Sequence, residues 1–358
     1  MKPIYSFSMY TWGILSMLLT CVLLISACDT PSTETKDPLE PPPLGYLRLY
    51  APPGAVLESA LDTFNAQGAK LTIATYAHKV DFLSKIDDST GYDLAILDDN
   101  AVKAFSEKGL LKQFQASNIS NLRNLDVRFK ELPFDPDGIY SIPYQWGTMG
   151  LMVDTIQIKD AEASWELMFN PTYAGKVAVL DNPRLGLVPA LKKLGYSLNT
   201  TTASEVDEAM ALMKAQKGWR FYKEEEIGKV MEDKENWIVY GLNADMMPYQ
   251  KGKYEYLLPK EGTHIWVNNM CILNTCKNDS LAHAFIAYML SPKVAAELAN
   301  TRGLPVPNKK AFTHIYPEYI RDKSRFPDET TLVRCEFIQG VGEKKEMYEK
   351  AWEEAKGK

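Results

Sequence analysis

No block of lysines and arginines occurs anywhere in this sequence, which removes nucleic acid as an expected partner, since phosphates are gripped by clustered cations. Histidine is scarce and scattered: only His78, His264, His283 and His314 are present, so neither a histidine-based metal site nor a Ser–His–Asp arrangement is expected. No Cys pair stands near a second Cys or His pair, which excludes a zinc signature. GxSxG, P-loop and GxGxxG motifs are missing from any suitable strand–helix context. The reading is therefore not an enzyme, with no cofactor and no metal. Beyond the first 28 residues no apolar run reaches membrane-spanning length, so the rest of the chain is expected to be soluble.

What is present begins at the amino terminus. Lys2 precedes an almost uncharged apolar run over residues 9–25 (MYTWGILSMLLTCVLLI), and then come Ser26, Ala27 and Cys28. An apolar residue, two small residues and a cysteine form the pattern read by lipoprotein signal peptidase, with the Cys28 thiol receiving the lipid. The alternative is an uncleaved transmembrane anchor, because the run is close to spanning length. Residues 29–43 (DTPSTETKDPLEPPP) bury too little apolar area to offset ordering and read as a tether. Cys21 leaves with a cleaved leader and Cys28 is modified, so Cys271, Cys276 and Cys335 remain. An odd number leaves at least one thiol unpaired per monomer. Cys271, inside MCIL, reads as a small core residue.

The 358 residues, 46% hydrophobic and 24% charged, suit about two ordinary globular domains. The formal charge is −6, one unit more negative without Lys2, which leaves room for a cationic ligand. Apolar strands alternate with amphipathic helices: strands over 46–50, 71–75 and 92–97, helices over 56–67, 81–86 and 101–108. That order predicts a parallel sheet, whose ligands sit at the carboxyl ends of strands. Asp98, Asp99 and Asn100 lie at such an end, where they either face a ligand or cap the next helix. Further strands are expected over 176–180, 237–240 and 266–273, and helices over 187–194, 280–290 and 293–300. The segment from Glu343 onward reads as an amphipathic helix with a wet charged face, and Glu224–Glu226 as a solvated helix face. Trp146 reads as packing.

Five segments occur in the order found in one family. They are PFDPDGIYSIPYQWGT (133–148), SWELMFNPTYAGKVAVLD (164–181), LKKLGYSLNTT (191–201), LPKEG (258–262) and GLPVPN (303–308). Through them the chain resembles the periplasmic spermidine/putrescine-binding proteins of bacterial ABC transporters. The resemblance implies an α/β fold of type II periplasmic-binding architecture, two lobes closing over a ligand. With the lipoprotein signal peptide over 1–27 and the lipidated tether over 28–43, as read above, the analogy divides the rest. Lobe one spans 44–147 plus 266–310, and lobe two spans 148–265 plus 311–358.

A polyamine needs carboxylates at its ammonium groups and aromatic faces along its length. Carried over position by position, Trp266 is the family's stacking tryptophan, and Tyr240 replaces another. Asn182 stands for an aspartate beside Asp181, Leu185 for a glutamate and Asn268 for an aspartate. Leu304 stands for a tyrosine. Tyr50 is the aromatic left in a shortened first loop, and Asp98 and Asn100 replace a serine and a tyrosine. The ligand-binding set is thus Tyr50, Asp98, Asp99, Asn100, Asn182, Tyr240, Trp266 and Asn268. The expected function is an extracytoplasmic, lipid-anchored, monomeric solute-binding protein for a polyamine, partnered by an ABC permease and ATPase. The alternatives are another small polar or amine solute, or a sensor lipoprotein that has lost transport.

Overall fold

The computed structural model describes residues 45–76 and 91–357. The leader, Cys28, the tether and the helix expected over 81–86 lie outside the described residues. Among those described, ten strands form one sheet. They are β1 (Tyr46–Ala51), β2 (Lys70–Thr75), β3 (Leu94–Asp98), β4 (Leu111–Lys112) and β5 (Ile142–Asp154). The remainder are β6 (Val177–Leu180), β7 (Arg220–Tyr222), β8 (Ile238–Leu242), β9 (Tyr254–Leu257) and β10 (Ile265–Leu273). The lateral order is β2-β1-β3-β10-β5-β8-β6-β7, with β4 added on β10 and β9 on β5. Helices flank the sheet, so the fold is mixed α/β.

The first half-sheet explains its own sequence. In β3 the residues Leu94 to Leu97 are apolar without interruption because both faces are covered. Leu94 and Ile96 pack with Leu47, Leu49, Met270 and Ile272 on one side. Ala95 and Leu97 pack with Val102, Phe105, Val267 and Cys271 on the other. Each such leucine or isoleucine contributes about 1.5–3 kcal/mol by leaving water. The helices Asp279–Met289 and Pro292–Arg302 close the first of these cores. Trp146 is buried in the second, its ring 5.2 Å from that of Phe129, so it packs as expected.

The second half-sheet surrounds another core, in which Trp165, Tyr240, Tyr256, Tyr348 and Trp352 are fully buried. Two of these come from the terminal helix Lys345–Ala355. Its spacing sets Tyr348, Ala351, Trp352 and Ala355 on one inward stripe and leaves Glu346, Lys350 and Glu353 wet. Glu224–Glu226 form a short, partly exposed 3-10 turn.

One strand joins the halves. All thirteen residues of β5 are buried; its first part pairs with β10 and its last part with β8 and β9. The segment after residue 310, expected in lobe two, contributes to both halves. Ala311, Ile315 and Phe326 pack in the first half's core, and Leu332 joins the opposite face of that half. The same segment already touches the second half, where Arg325 Nη2 donates to Gln250 Oε1 at 3.0 Å, Arg334 Nε to Lys260 O at 2.6 Å and Lys192 Nζ to Glu336 at 2.8 Å. From Ile338 onward it joins that half's core. These contacts join residues far apart in sequence, so no local pattern reveals them.

Among the described residues no helix is long and apolar enough to cross a membrane, and no cluster of His, Cys, Asp or Glu is arranged for a metal ion. Cys271, Cys276 and Cys335 are free thiols, and Cys271 is fully buried as expected.

Candidate ligand site

Register fixes the site's geometry. Residues opposite one another in a sheet share a face, and so do residues two apart along one strand. Asn268 of β10 lies opposite Asp98 on one side and Gln145 on the other. Trp266 lies opposite Gly147. Asp98, Asn268 and Gln145 therefore form one row across β3, β10 and β5, and Trp266 with Gly147 forms the next. A bulge follows at once, between Asn268 and Asn269, and separates this polar face from the apolar run Met270–Leu273.

Each member is held by identifiable contacts. Asp98 Oδ1 accepts a hydrogen bond from Ala101 N at 2.8 Å, so it caps the helix Asp99–Glu107. Asp99 is buried and its Oδ1 accepts from Asn100 N, whereas Asn100 is exposed. Trp266 is 8% exposed, and its Nε1 donates to Asn243 Oδ1 at 3.0 Å. That same oxygen accepts from Thr148 N at 3.2 Å. Gly147 leaves room for this arrangement, because a Cβ there would overlap both Asn243 Oδ1 and the Trp266 ring.

The other expected residues are placed differently. Tyr240 is 0% exposed; its hydroxyl donates to Leu185 O at 2.6 Å and burial drives its pKa far up. It supports the 181–187 loop from below. Asn182 Oδ1 accepts from Arg184 N and Leu185 N, both at 2.9 Å, a turn-forming pattern that shapes the same loop. Tyr50 is buried on the β1 face that packs with Ala95 and Leu97, stacked on Tyr92 at 4.8 Å. Alternation along β3 puts Asp98 on the opposite face, with Ile96. The structure thus brings Asp98, Asn268 and Trp266 together, pairs Tyr240 with the Asn182 loop, and sets Tyr50 apart.

The 181–187 loop is tied to the terminal helix. Asp181 Oδ1 accepts from Trp352 Nε1 at 2.7 Å and from Lys356 Nζ at 2.8 Å. Arg184 donates to Gln339 O and Leu198 O, both at 2.9 Å, with its guanidinium 4.3 Å above the Tyr348 ring. Burial pulls the Arg184 pKa down, against the opposing influence of Tyr348. Glu336 receives Lys192 Nζ at 2.8 Å. Burial alone would raise the Glu336 pKa, but the hydrogen bonds from Lys192 and Ser197 outweigh it and hold the carboxyl below its usual range.

Gln145 and Asn243 were not singled out from the sequence. Asn243 follows β8, and the rule that flagged Asp98, a polar residue at the carboxyl end of an apolar strand, applies equally to it. Gln145 lies within PYQWGT, where its neighbours drew attention to the segment rather than to the side chain. A crevice of about 10 Å³ is bordered by Asp99, Asn100, Lys103, Phe134 and Gln339. A cavity of about 500 Å³ lies elsewhere, lined by Phe114, Ile119, Leu122, Phe129 and Pro143. Size does not make it the site, since none of the residues expected to hold the ligand lines it.

Comparison with known proteins gives a consistent picture. The profile of the family described as bacterial extracellular solute-binding proteins matches residues 88–324. The chain is 31% identical over 314 residues to the spermidine/putrescine-binding periplasmic protein of Salmonella typhimurium, covering 86% of this chain and 89% of that one. It is 30% identical to a putrescine/cadaverine-binding protein of Pseudomonas aeruginosa, covering 84% and 90% of the two chains. Among solved structures, the spermidine/putrescine ABC transporter substrate-binding protein of Streptococcus pneumoniae superimposes with a TM-score of 0.82. That pair shares 25% identity over 87% of this chain and 98% of the other.

Proposed function

The chain belongs to the bacterial extracellular solute-binding proteins, and on that premise we propose that it captures a polyamine-class amine for an ABC importer. The family gives an extracytoplasmic location, a small ligand, and work alongside a permease and an ATPase. One observation carries the ligand reading: Asp98, Asn268 and Trp266 share one sheet face, offering a carboxylate and an indole to an ammonium group. The two half-sheets act as the lobes, and the segment after residue 310 contributes to both. Asn182 approaches from the second lobe.

Replacing Asp98 with asparagine tests the ammonium contact without disturbing the helix, because asparagine caps as well as aspartate. Titration calorimetry with putrescine and spermidine should show binding weakened by about 1.5–3 kcal/mol, roughly ten- to a hundred-fold, with the unfolding midpoint preserved. Equal affinity in Asp98→Asn and the parent chain would remove Asp98 from the site.

We place the protein on the membrane through lipid at Cys28, on the strength of the apolar run and the Ser26-Ala27-Cys28 signal. Cys28→Ser should leave an unprocessed precursor without lipid, read by mass spectrometry and detergent partitioning. Processed, detergent-phase protein from that variant would exclude Cys28 as the anchor.

A further inference from the structure

An aromatic ring holds a cation or a methylene chain only through its face, so the angle of the Trp266 indole matters as much as its presence. That angle is fixed by one buried oxygen. Trp266 Nε1 donates to Asn243 Oδ1 at 3.0 Å, and Thr148 N donates to the same oxygen at 3.2 Å. An amide nitrogen accepts from neither, so the Asn243 carboxamide has a single orientation. Asn243 is 0% exposed, whereas Asp98 and Asn268 are only partly buried. It is thus withdrawn from the face on which those two lie.

Three elements meet at this oxygen. Asn243 opens the short helix Asn243–Met246 directly after β8, Thr148 belongs to β5, and Trp266 belongs to β10. Thr148 N is a main-chain donor in a fully buried strand, so it cannot swing away and gives the carboxamide a fixed reference. The carboxamide hands that reference on to the indole. Gly147 completes the arrangement, since a Cβ there would stand 2.3 Å from Asn243 Oδ1 and 2.4 Å from Trp266 Cζ2. Turning the ring about its second torsion would carry Nε1 off its acceptor and leave a buried N–H unpaired, which is costly.

Resting on the reading that an amine stacks on Trp266, we infer that Asn243 is a positioning residue for ligand binding. It acts through the indole N–H and sets the plane against which the amine lies. The stacking share of the affinity is then governed from the end of β8, a strand of the opposite half-sheet.

Titration calorimetry of the whole chain with putrescine and spermidine tests this through a double-mutant cycle. Asn243→Leu keeps the side chain's shape and removes the acceptor, while Trp266→Phe keeps an aromatic face and removes the N–H. Asn243→Leu should weaken binding about ten-fold or more in the parent chain, but less than about two-fold in the Trp266→Phe background, where no N–H remains to be positioned. Asn243→Asp keeps an oxygen for both donors and forfeits no bond of Nδ2, which has no acceptor among the described residues. Its affinity should therefore stay within about three-fold of the parent or exceed it. Equal losses from Asn243→Leu in the two backgrounds overturn the inference, because the residue would then act through β5 and not through the indole. Parent-like binding by Asn243→Leu, or a loss of about ten-fold in Asn243→Asp, overturns it as well. Should Asn243→Leu not fold, hydrogen exchange at the Trp266 indole of the parent chain decides, its resonance being the one missing from Trp266→Phe. Slow exchange without ligand is expected, and exchange as fast as that of a free indole overturns the inference. Any of these failures leaves the polyamine reading standing while the parent chain still binds putrescine or spermidine. Failure of the parent chain to bind either one removes both.

Discussion

Trp352→Ala lowers the stability of the protein by about 3–5 kcal/mol, the range for emptying a fully buried indole site. Three contacts are lost together. The ring is fully buried in the second half's core and meets Phe221 edge-on at 5.4 Å. Its Nε1 donates to Asp181 at 2.7 Å. Its far edge fills the space above Gly186, where any Cβ would overlap it. Asp181 keeps Lys356 as a partner, so the carboxylate is not abandoned, and the loss is chiefly one of packing. The same substitution frees the 181–187 loop that carries Asn182. Guanidinium unfolding followed by circular dichroism reads the stability. A midpoint within error of the parent would mean that the terminal helix is dispensable to the core, contrary to its buried stripe.

Gly262→Ala is expected to cost about 2–5 kcal/mol, from two sources that add. The residue has φ of +89°, a left-handed conformation that costs an L-residue about 1–2 kcal/mol. A Cβ at this position would also overlap the carbonyl of Arg334, and forcing extra atoms into a packed site costs about 1–3 kcal/mol. The overlap matters because Arg334 leads directly into the bonded pair formed by Glu336 N with Thr263 O and Ile265 N with Glu336 O, each 2.9 Å. Gly109 provides the control: its φ is +67° but nothing lies within 4 Å of a Cβ there, so Gly109→Ala should show the conformational cost alone. Thermal unfolding of both variants decides the point. Equal losses at the two positions would show that the 334–336 segment moves aside without penalty.

These two glycine and tryptophan positions mark what local pattern does and does not disclose. β3 and the helix after it were legible because an apolar run ends in Asp98, a capping residue at a strand terminus. β5 was not identified as a strand: its thirteen residues are buried on both faces, so no alternation survives to signal one. Tyr240 illustrates the same loss at the level of the site. An aromatic in a doubly covered strand looks identical whether it faces a cleft or a core, and here it lies wholly within the core. Trp266, Asn268 and Asp98 were found individually, but their alignment on one face depends on the β3–β10–β5 register, which is a property of strand pairing rather than of any one segment. Asn243 escaped because its role comes from Trp266 and Thr148, far from it in sequence.

The passage of β5 through both halves has a mechanical meaning. Trp146 N bonds to Pro305 O and Met149 N to His264 O, so the strand is clamped on either side of the changeover by residues from distant parts of the chain. A swivel of the kind a loop allows would have to break these bonds. On the two-lobe reading proposed above, rocking of one half against the other would be taken up as flexure of an unbroken ribbon spread over several torsions, a joint that yields to bending while resisting shear.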